Sequence, residues 1–300
     1  MGSLARTAGG IGAAVLTSAA PTMAQAPAQA AAKKAISVPC SSPALATAIT
    51  AANAIPATLS LAANCTYNIT TPAVAGDTAL PPITGNVTII GGPSTSLRRD
   101  PSIPVARLLR VDAGGRLDLE DVFVLNGIGP GAGGGAILNN GTLVLRSDTL
   151  SGNTGPNGGA ISNGGAANAL ISRTVIRTNS TPGSGGGVIN LGSLTLSESR
   201  LSSDTAGVDG GGIATIAGGT TNLVQSTIDR NVATGTGGGV YNAGTTALSR
   251  TLVELNSAGP GGGGGIRDVA PGTVTLSVST VRDNTPDNCS PVNTIAGCTS

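Results

Sequence analysis

Apolar residues in the second half of the chain recur in pairs with one residue between them, and a third apolar position follows five residues after each pair. Leu194, Leu196 and Leu201 form one such set. Apolar residues that alternate with polar ones are typical of a half-buried strand. Gly, Asn, Ser and Thr fill the intervals, and these residues favour turns over helix. The pattern therefore predicts short strands joined by turns.

Triplets of small residues mark the period of this pattern. They begin at Gly134, Gly158, Gly185, Gly210, Gly237 and Gly263, in steps of 24, 27, 25, 27 and 26 residues. A period of roughly 20 to 50 residues marks a solenoid. A chain that returns to the same position without a helix must coil into stacked parallel strands ~4.8 Å apart. We therefore predict an all-β parallel β-helix of about nine coils, with glycine at bends that need a positive φ.

Two polar columns accompany the strands. The first contains Asn139, Asn163, Asn190, Thr215, Asn242 and Asp268, and the second contains Asn153, Asn179, Asp204, Asn231, Asn256 and Asn284. In stacked coils such amides can hydrogen-bond along the stack and hold tight bends, so we predict structural ladders. A leucine-rich repeat is the main competing solenoid, since it has a similar period and an Asn column. Disorder is a further alternative, because the chain contains 47 Gly and 18 Pro.

The first 30 residues predict a secretory signal peptide. Arg6 precedes an apolar run from Ile11 to Ala20, and small residues near Ala24 to Ala30 offer cleavage sites. A flexible leader is the alternative. Residues 31–38 are expected to form a linker and residues 39–300 the β-helix domain, so the mature chain should be extracellular.

Both ends of the domain are predicted to be capped. Residues 39–66 should form an N-terminal cap with a short helix, for which Ser42 offers an N-cap and Pro43 a first-turn residue. Regular repeats follow over 134–284, and residues 285–300 should close the C-terminal end. The polar stretch 97–103 is expected to bulge outward.

The four cysteines fit an oxidising compartment. Cys40 and Cys65 lie near one end of the domain, and Cys289 and Cys298 lie near the other. Because a disulfide needs Cα atoms within ~7 Å, we predict that each pair is bridged locally. Independent reduced thiols are the alternative.

Composition limits the chemistry of this chain. Its net charge is +1, with no basic cluster, so nucleic-acid binding is not expected. It contains no His, which is the commonest general base and metal ligand. With one Phe, two Tyr and no Trp, it offers no aromatic platform for sugar stacking. We predict no cofactor, no bound metal and no membrane span, and expect a monomer.

The GGAI and GGGV triplets, the L-x-L pairs and the recurrent Asn resemble the right-handed parallel β-helix repeats of the pectate-lyase-like superfamily. The GGA-I and x-x-x-N elements also resemble the passenger repeats of polymorphic outer-membrane proteins. The stretches AITAAN, LSLAANCTYNIT, VTIIGGP and NTPDNCSP look like a group of secreted bacterial β-helix proteins without an established activity. The resemblance implies a single-stranded right-handed parallel β-helix and leaves the function open, because fold alone does not determine chemistry.

Catalysis has one set of candidates. Asp229, Glu254 and Arg282 stand two residues before the second polar column in adjacent coils. Two carboxylates one strand apart would approach the ~5 Å separation of a retaining glycosidase, and the Arg could bind an acidic sugar. The alternative is a solvated outer row with ordinary cross-strand ion pairs.

The sequence therefore favours a secreted, non-catalytic module for extracellular adhesion, binding or envelope structure. Its expected partner is a cell-wall or extracellular polysaccharide or a surface protein. The alternative is a polysaccharide lyase or glycoside hydrolase that acts on an acidic polysaccharide.

Overall fold

The predicted alternation becomes a coil of short parallel strands whose apolar side chains point inward. The computed structural model describes residue 2 and residues 35–131, 133–292 and 294–298. The predicted signal peptide, apart from Gly2, and residues 31–34 of the predicted linker lie outside the described residues. Within residues 33–300, which form one compact unit, all of the paired strands run parallel.

Sheet I contains the L-x-L strands and has ten members. They are Ile36–Val38, Ala57–Leu61, Asn86–Ile90, Arg116–Glu120, Thr142–Arg146, Asn168–Ser172, Ser193–Ser197, Thr220–Val224, Thr245–Ser249 and Thr273–Ser277. The first strand lies in the segment expected to be a linker and pairs with the second, which adds a coil to the nine predicted. The fold is a parallel β-helix of about ten turns, consistent with the right-handed form.

Sheets II and III complete the walls of the coil. The nine strands of sheet II are Thr66–Ile69, Ser96–Arg99, Phe123–Leu125, Thr149–Ser151, Val175–Arg177, Arg200–Ser202, Thr227–Asp229, Leu252–Glu254 and Thr280–Arg282. The eight strands of sheet III are Leu109–Val111, Ile137–Asn139, Ile161–Asn163, Val188–Asn190, Ile213–Thr215, Val240–Asn242, Ile266–Asp268 and Cys289–Ser290. A short sheet IV comprises Ser180–Thr181, Thr205–Ala206 and Val232–Ala233.

The core lies inside the coil and consists of stacked aliphatic side chains. Leu194, Leu196 and Leu201 are fully buried, as are Val188 and Ile213 of sheet III. Each strand stacks on its equivalent in the next coil, so equivalent apolar residues form continuous columns. The core therefore repeats with the sequence, as the pattern predicts.

The N-terminal cap contains the single described helix, Ser42–Ala54. Leu45, Ile49 and Ala52 are its buried face. Its N-cap is Ser41 rather than the predicted Ser42, because Ser41 has an extended backbone and its side chain accepts from the Ala44 N–H. The hydroxyl of Ser42 instead donates to the Asn68 carbonyl at 2.9 Å.

Both predicted disulfides form. Cys40 bonds to Cys65, with Cα atoms 5.8 Å apart, and Cys289 bonds to Cys298, with Cα atoms 6.3 Å apart. Each bridge closes a local segment near one end of the coil, which is the pairing that the geometry of a rod requires.

Two tight bends in each regular coil use a left-handed residue that is seldom glycine. After sheet I these residues are Asp121, Ser147, Arg173, Glu198, Gln225, Arg250 and Val278, and after sheet II they are Asn126, Gly152, Thr178, Ser203, Arg230, Leu255 and Asp283. The predicted glycine bends recur at the third corner, where the first Gly of each triplet has a positive φ. At that corner a Cβ on the second glycine, such as Gly186, would lie 2.2 Å from the carbonyl oxygen of Gly211.

The stretch 97–103, which was expected to bulge outward, is partly a wall of the coil. Residues Ser96–Arg99 form a strand of sheet II, and the side chain of Arg99 is buried. Its Nε donates to the Asn126 carbonyl at 2.7 Å, so the charge has partners inside the fold. The outward prediction was wrong for Leu97, Arg99 and Ile103, which are buried, whereas Arg98, Pro101 and Ser102 are exposed as expected.

Candidate functional site

The two polar columns are internal ladders. In the second column the Nδ2 of Asn153 donates to Oδ1 of Asn179 at 3.0 Å, and the same amide also reaches the Val124 carbonyl of the preceding coil at 3.1 Å. The backbone N–H of Asn153 donates to that same Oδ1. These residues are almost completely buried. Each amide thus satisfies groups of the coils on both sides of it.

The first column forms the same kind of ladder with one variation. Asn139 donates to Asn163 at 2.7 Å, and Asn163 donates to Asn190 at 2.8 Å. At the Thr215 coil the ladder passes through two further buried hydroxyls, since Asn190 donates to Thr221 and Thr221 bonds to Thr215. The Asn and Thr residues of this ladder therefore face the interior and are not available to a ligand, whereas Asp268 at its C-terminal end is partly exposed.

Asp204 is the one acid inside the second ladder. Its Oδ1 accepts from the backbone N–H and the Nδ2 of Asn179, whereas its buried Oδ2 has no hydrogen-bond partner. At this position an Asn would donate from Nδ2. Burial raises the pKa of Asp204 to about 8, so the carboxyl is largely protonated at neutral pH. The proton on Oδ2 can then supply the donor that the ladder needs.

Asp148 is a second buried acid. Its oxygens accept from the N–H groups of Val122 and Arg146, each at 2.9 Å. Burial raises the pKa of Asp148 to about 8 against the opposing effect of those two hydrogen bonds. It occupies a column in which the other coils place Ser or Thr, and its contacts are to backbone, so its role is structural.

The catalytic candidates do lie together. Asp229, Glu254 and Arg282 are the last residues of adjacent strands of sheet II and are in register. The outer row that they form continues through Ser202, which lies beside Asp229. The prediction that these three side chains share one row of adjacent coils is therefore correct in position.

Arginines occupy the oxygens of Asp229. Arg200 binds it in a bidentate manner, with Nε 2.7 Å from Oδ1 and Nη2 2.6 Å from Oδ2, and Arg230 also pairs with Oδ2. Asp229 is 1% exposed. Hydrogen bonding to Asp229 raises the pKa of Arg200. A carboxylate held by two guanidinium groups has no free oxygen with which to take a proton from a substrate.

Glu254 is paired more loosely, through Oε2 and a single arginine. Arg282 forms a salt bridge with it, and the same guanidinium lies 2.9 Å from Asp283. Arg282 is about half exposed, so its pairs are screened by solvent. The arrangement fits an ion-paired outer row, in which arginines hold both oxygens of Asp229 and Oε2 of Glu254.

The described residues contain no group of three or more Cys, Asp or Glu side chains that could hold a metal ion. In the same part of the chain, no helix is long and apolar enough to cross a membrane.

Sequence reasoning did not single out the surface around Phe123. This side chain is 39% exposed on sheet II, and it borders a shallow depression with Asp121, Ser94 and Ser147. The signal in the sequence was a lone aromatic residue at the first position of a strand, where an outward direction follows from the alternation.

Comparison with known protein families, curated proteins and solved structures finds no match. The parallel β-helix is therefore established by the strand register alone.

Proposed function

We propose that this chain is a secreted, non-catalytic β-helix module that acts in extracellular adhesion, binding or envelope structure. The proposal rests on the observation that the repeated polar and acidic side chains already have partners within the protein. The repeated amides are used inside the coil, and the two carboxylates among the catalytic candidates, Asp229 and Glu254, are paired with arginines. The surface left for function is therefore one for contact.

Secretion is supported by the covalent structure. Two disulfides close the ends of the domain, and such bonds persist in oxidising compartments. The signal-like sequence of residues 1–30 agrees with export. The resemblance to pectate-lyase-like and polymorphic outer-membrane-protein repeats, and to secreted bacterial β-helix proteins, also supports an extracellular role.

The outer face of sheet I is the best candidate for the contact surface. Each of its last five strands has three outward positions, and none of them is charged. They are Asn168, Leu170, Ser172, Ser193, Thr195, Ser197, Thr220, Asn222, Val224, Thr245, Ala247, Ser249, Thr273, Thr275 and Ser277. By contrast, sheet II carries Arg177, Arg200 and Glu254 on its outer side.

This face favours a neutral polysaccharide over an acidic one. Its hydroxyl and amide groups recur at the strand spacing of ~4.8 Å, so they can hydrogen-bond to a polymer whose hydroxyls also recur. It offers no cation to an acidic sugar. Because a single hydrogen bond in water contributes only about 1 kcal/mol, binding should depend on many repeats and on the length of the polymer.

A sedimentation assay with insoluble neutral glycans and bacterial cell walls tests the proposal. We expect the wild type to sediment with such material, without release of soluble products. Thr195→Lys, in the middle of the face, should weaken binding at least several-fold. Thr227→Lys places the same charge on sheet II and should leave binding unchanged. Equal loss in both variants, or no sedimentation with any glycan or wall, would refute a binding role for sheet I.

A polysaccharide lyase or hydrolase is the second candidate function. It is favoured by the register that sets Asp229, Glu254 and Arg282 in adjacent strands. Incubation with pectate, alginate and other acidic glycans, followed by analysis of reducing ends and unsaturated products, separates the two candidates. Turnover that Glu254→Ala abolishes would establish the enzyme and remove the non-catalytic proposal.

A further inference from the structure

The two ends of sheet I are finished differently. At the N-terminal end the helix Ser42–Ala54 packs its buried face against the core, and the end strand residue Val38 is buried. At the C-terminal end, segment 285–298 covers sheet III, where Cys289–Ser290 adds a last strand. It also ends the second ladder, since Asn284 donates to Asn288 at 3.1 Å. The strand Thr273–Ser277 is the last member of sheet I.

Two core residues are incompletely covered at this edge. Val274 and Leu276 point inward, in register with Thr246 and Leu248, which are 0% and 1% exposed. Val274 and Leu276 themselves are only half-buried. Their apolar surface remains partly exposed to water, whereas the equivalent residues one coil earlier are fully buried. Burying it against another strand is favourable.

The same strand has unused backbone groups. The N–H of Thr273 donates inward to Gly244, so residues 273, 275 and 277 pair with the preceding strand. The N–H and C=O groups of Val274 and Leu276 consequently face away from the sheet. Among the described residues none hydrogen-bonds to them. An unpaired strand of this kind is a template for a further strand.

Nothing in this strand prevents pairing. Edges that avoid association carry Lys, Pro or a bulge. Thr273–Ser277 reads TVTLS and has none of these. It is also complementary to itself, because an antiparallel copy centred on Thr275 sets Val274 opposite Leu276. The two apolar residues then join the two cores, and the hydroxyl residues remain outward.

We propose that the C-terminal edge of sheet I pairs antiparallel with the same edge of a second copy, across a two-fold axis at Thr275. Val274 and Leu276 form the hydrogen-bonded pairs, and they exchange four backbone hydrogen bonds in total. Thr275 lies opposite itself in a non-hydrogen-bonded pair. A two-fold contact closes after two copies, so the product is a dimer and not a filament.

This dimer is weak and depends on concentration, since one five-residue edge buries little area compared with a stable interface. It differs from the monomer expected from the sequence. In the structure Ile295 of the C-terminal segment is buried and Cys289–Ser290 adds the last strand of sheet III, whereas no described strand pairs with the outer edge of Thr273–Ser277.

Cysteine cross-linking tests the geometry. Residues directly opposite in an antiparallel pair have Cβ atoms ~4.5–5.5 Å apart, close to disulfide distance. Under mild oxidation Thr275→Cys should convert most of the protein into a covalent dimer. Ala247→Cys is the matched control, because Ala247 is the register partner of Thr275 one strand further in, and it should remain monomeric. Equal cross-linking of both variants would overturn the proposal.

Sedimentation velocity provides the second test without a cysteine. The wild type should shift from monomer to dimer as its concentration rises and should form nothing larger. Thr275→Lys places two like charges at the axis and should abolish the dimer, while Ala247→Lys should retain it. A wild type that stays monomeric at all concentrations, or that grows beyond a dimer, would refute the pairing.

Discussion

The first coils and the regular repeats use different side chains to hydrogen-bond the backbone groups that lie between adjacent coils. Before residue 134 the loops differ in length, and long charged side chains bridge them. Arg107 is 2% exposed, pairs with Asp77 at 2.9 Å and donates to the Pro130 carbonyl at 3.2 Å. In the repeats, neutral amides such as Asn179 do this work at every coil.

The difference shows what a regular period makes available. When coils have nearly equal length, identical short side chains stack at the strand spacing and hydrogen-bond to each other. When loop lengths differ, the distance to an unsatisfied carbonyl varies, and only a long side chain with several donors reaches it. In irregular coils a single residue therefore satisfies the carbonyl groups between coils, whereas in regular coils many equivalent residues share these hydrogen bonds.

The largest loss of stability is expected at Arg107. Arg107→Ala removes the buried donor of the Gly133 and Pro130 carbonyls and one of the two arginine partners of Asp77, which keeps Arg110, so it should lower the free energy of unfolding by about 3 kcal/mol. Arg116→Ala is the control, because Arg116 pairs with Asp118 at the surface and is 38% exposed. Its cost should stay below ~1 kcal/mol. Urea denaturation measures both, and similar costs would contradict the distinction between the two arginines.

A single amide of the ladder should matter less than Arg107. Asn179→Ala removes the acceptor for two donors of Asn153 and a donor to the Leu150 carbonyl. We expect a loss of about 2–3 kcal/mol in the same denaturation assay, since buried groups are left unsatisfied. Asn168→Ala, at an exposed position of sheet I, should change the stability by less than ~0.5 kcal/mol. A ladder variant as stable as this control would show that the amides are dispensable.

Asp204 offers a gain in stability that depends on pH. Because burial raises its pKa from 3.8 to about 8, the folded chain holds a proton that the unfolded chain releases. This contribution is complete below pH ~4 and is lost as the pH rises towards 8. Asp204→Asn should therefore be more stable than the wild type at pH 7 by on the order of 4 kcal/mol, and the difference should vanish near pH 4. A constant difference would rule out a protonated Asp204.

The smallest effect is expected in the outer row. Glu254→Ala breaks a solvent-screened pair with Arg282, so it should change stability by less than ~1 kcal/mol. Thermal unfolding, with Arg282→Ala as the companion variant, measures this. A much larger loss would show that the pair holds the coils together.

Much of the fold can be predicted from the sequence because six similar repeats can be aligned, and the alignment shows which positions are apolar in every coil. The L-x-L strands of sheet I from Ala57–Leu61 onward, the Asn columns and both disulfides were predicted from residues that recur or that have few partners within reach. The strand Ile36–Val38 and the strands of sheet III were not predicted. The position of Asp229 beside Glu254 was predicted in the same way, because each residue lies the same number of positions before the second polar column.

The arginine contacts were not predictable by counting. Arg200 reaches Asp229 from the preceding coil and Arg230 reaches it from the bend, so the neutralisation depends on side-chain direction. The left-handed bends were also missed, because residues as different as Glu198 and Val278 occupy them. There the hydrogen bonds of the stacked coils override the preference of each residue.

Hydrogen exchange of the backbone amides in the second ladder tests the central claim most directly. The N–H groups of Asn153, Asn179, Asn231 and Asn256 each donate to a side-chain oxygen of the next coil. Residue-resolved NMR should show these four among the slowest to exchange, with protection close to that of the core strands. Exchange at the rate of exposed loop amides would mean that the ladders do not hold the coils, and the polar columns would then be free for another role.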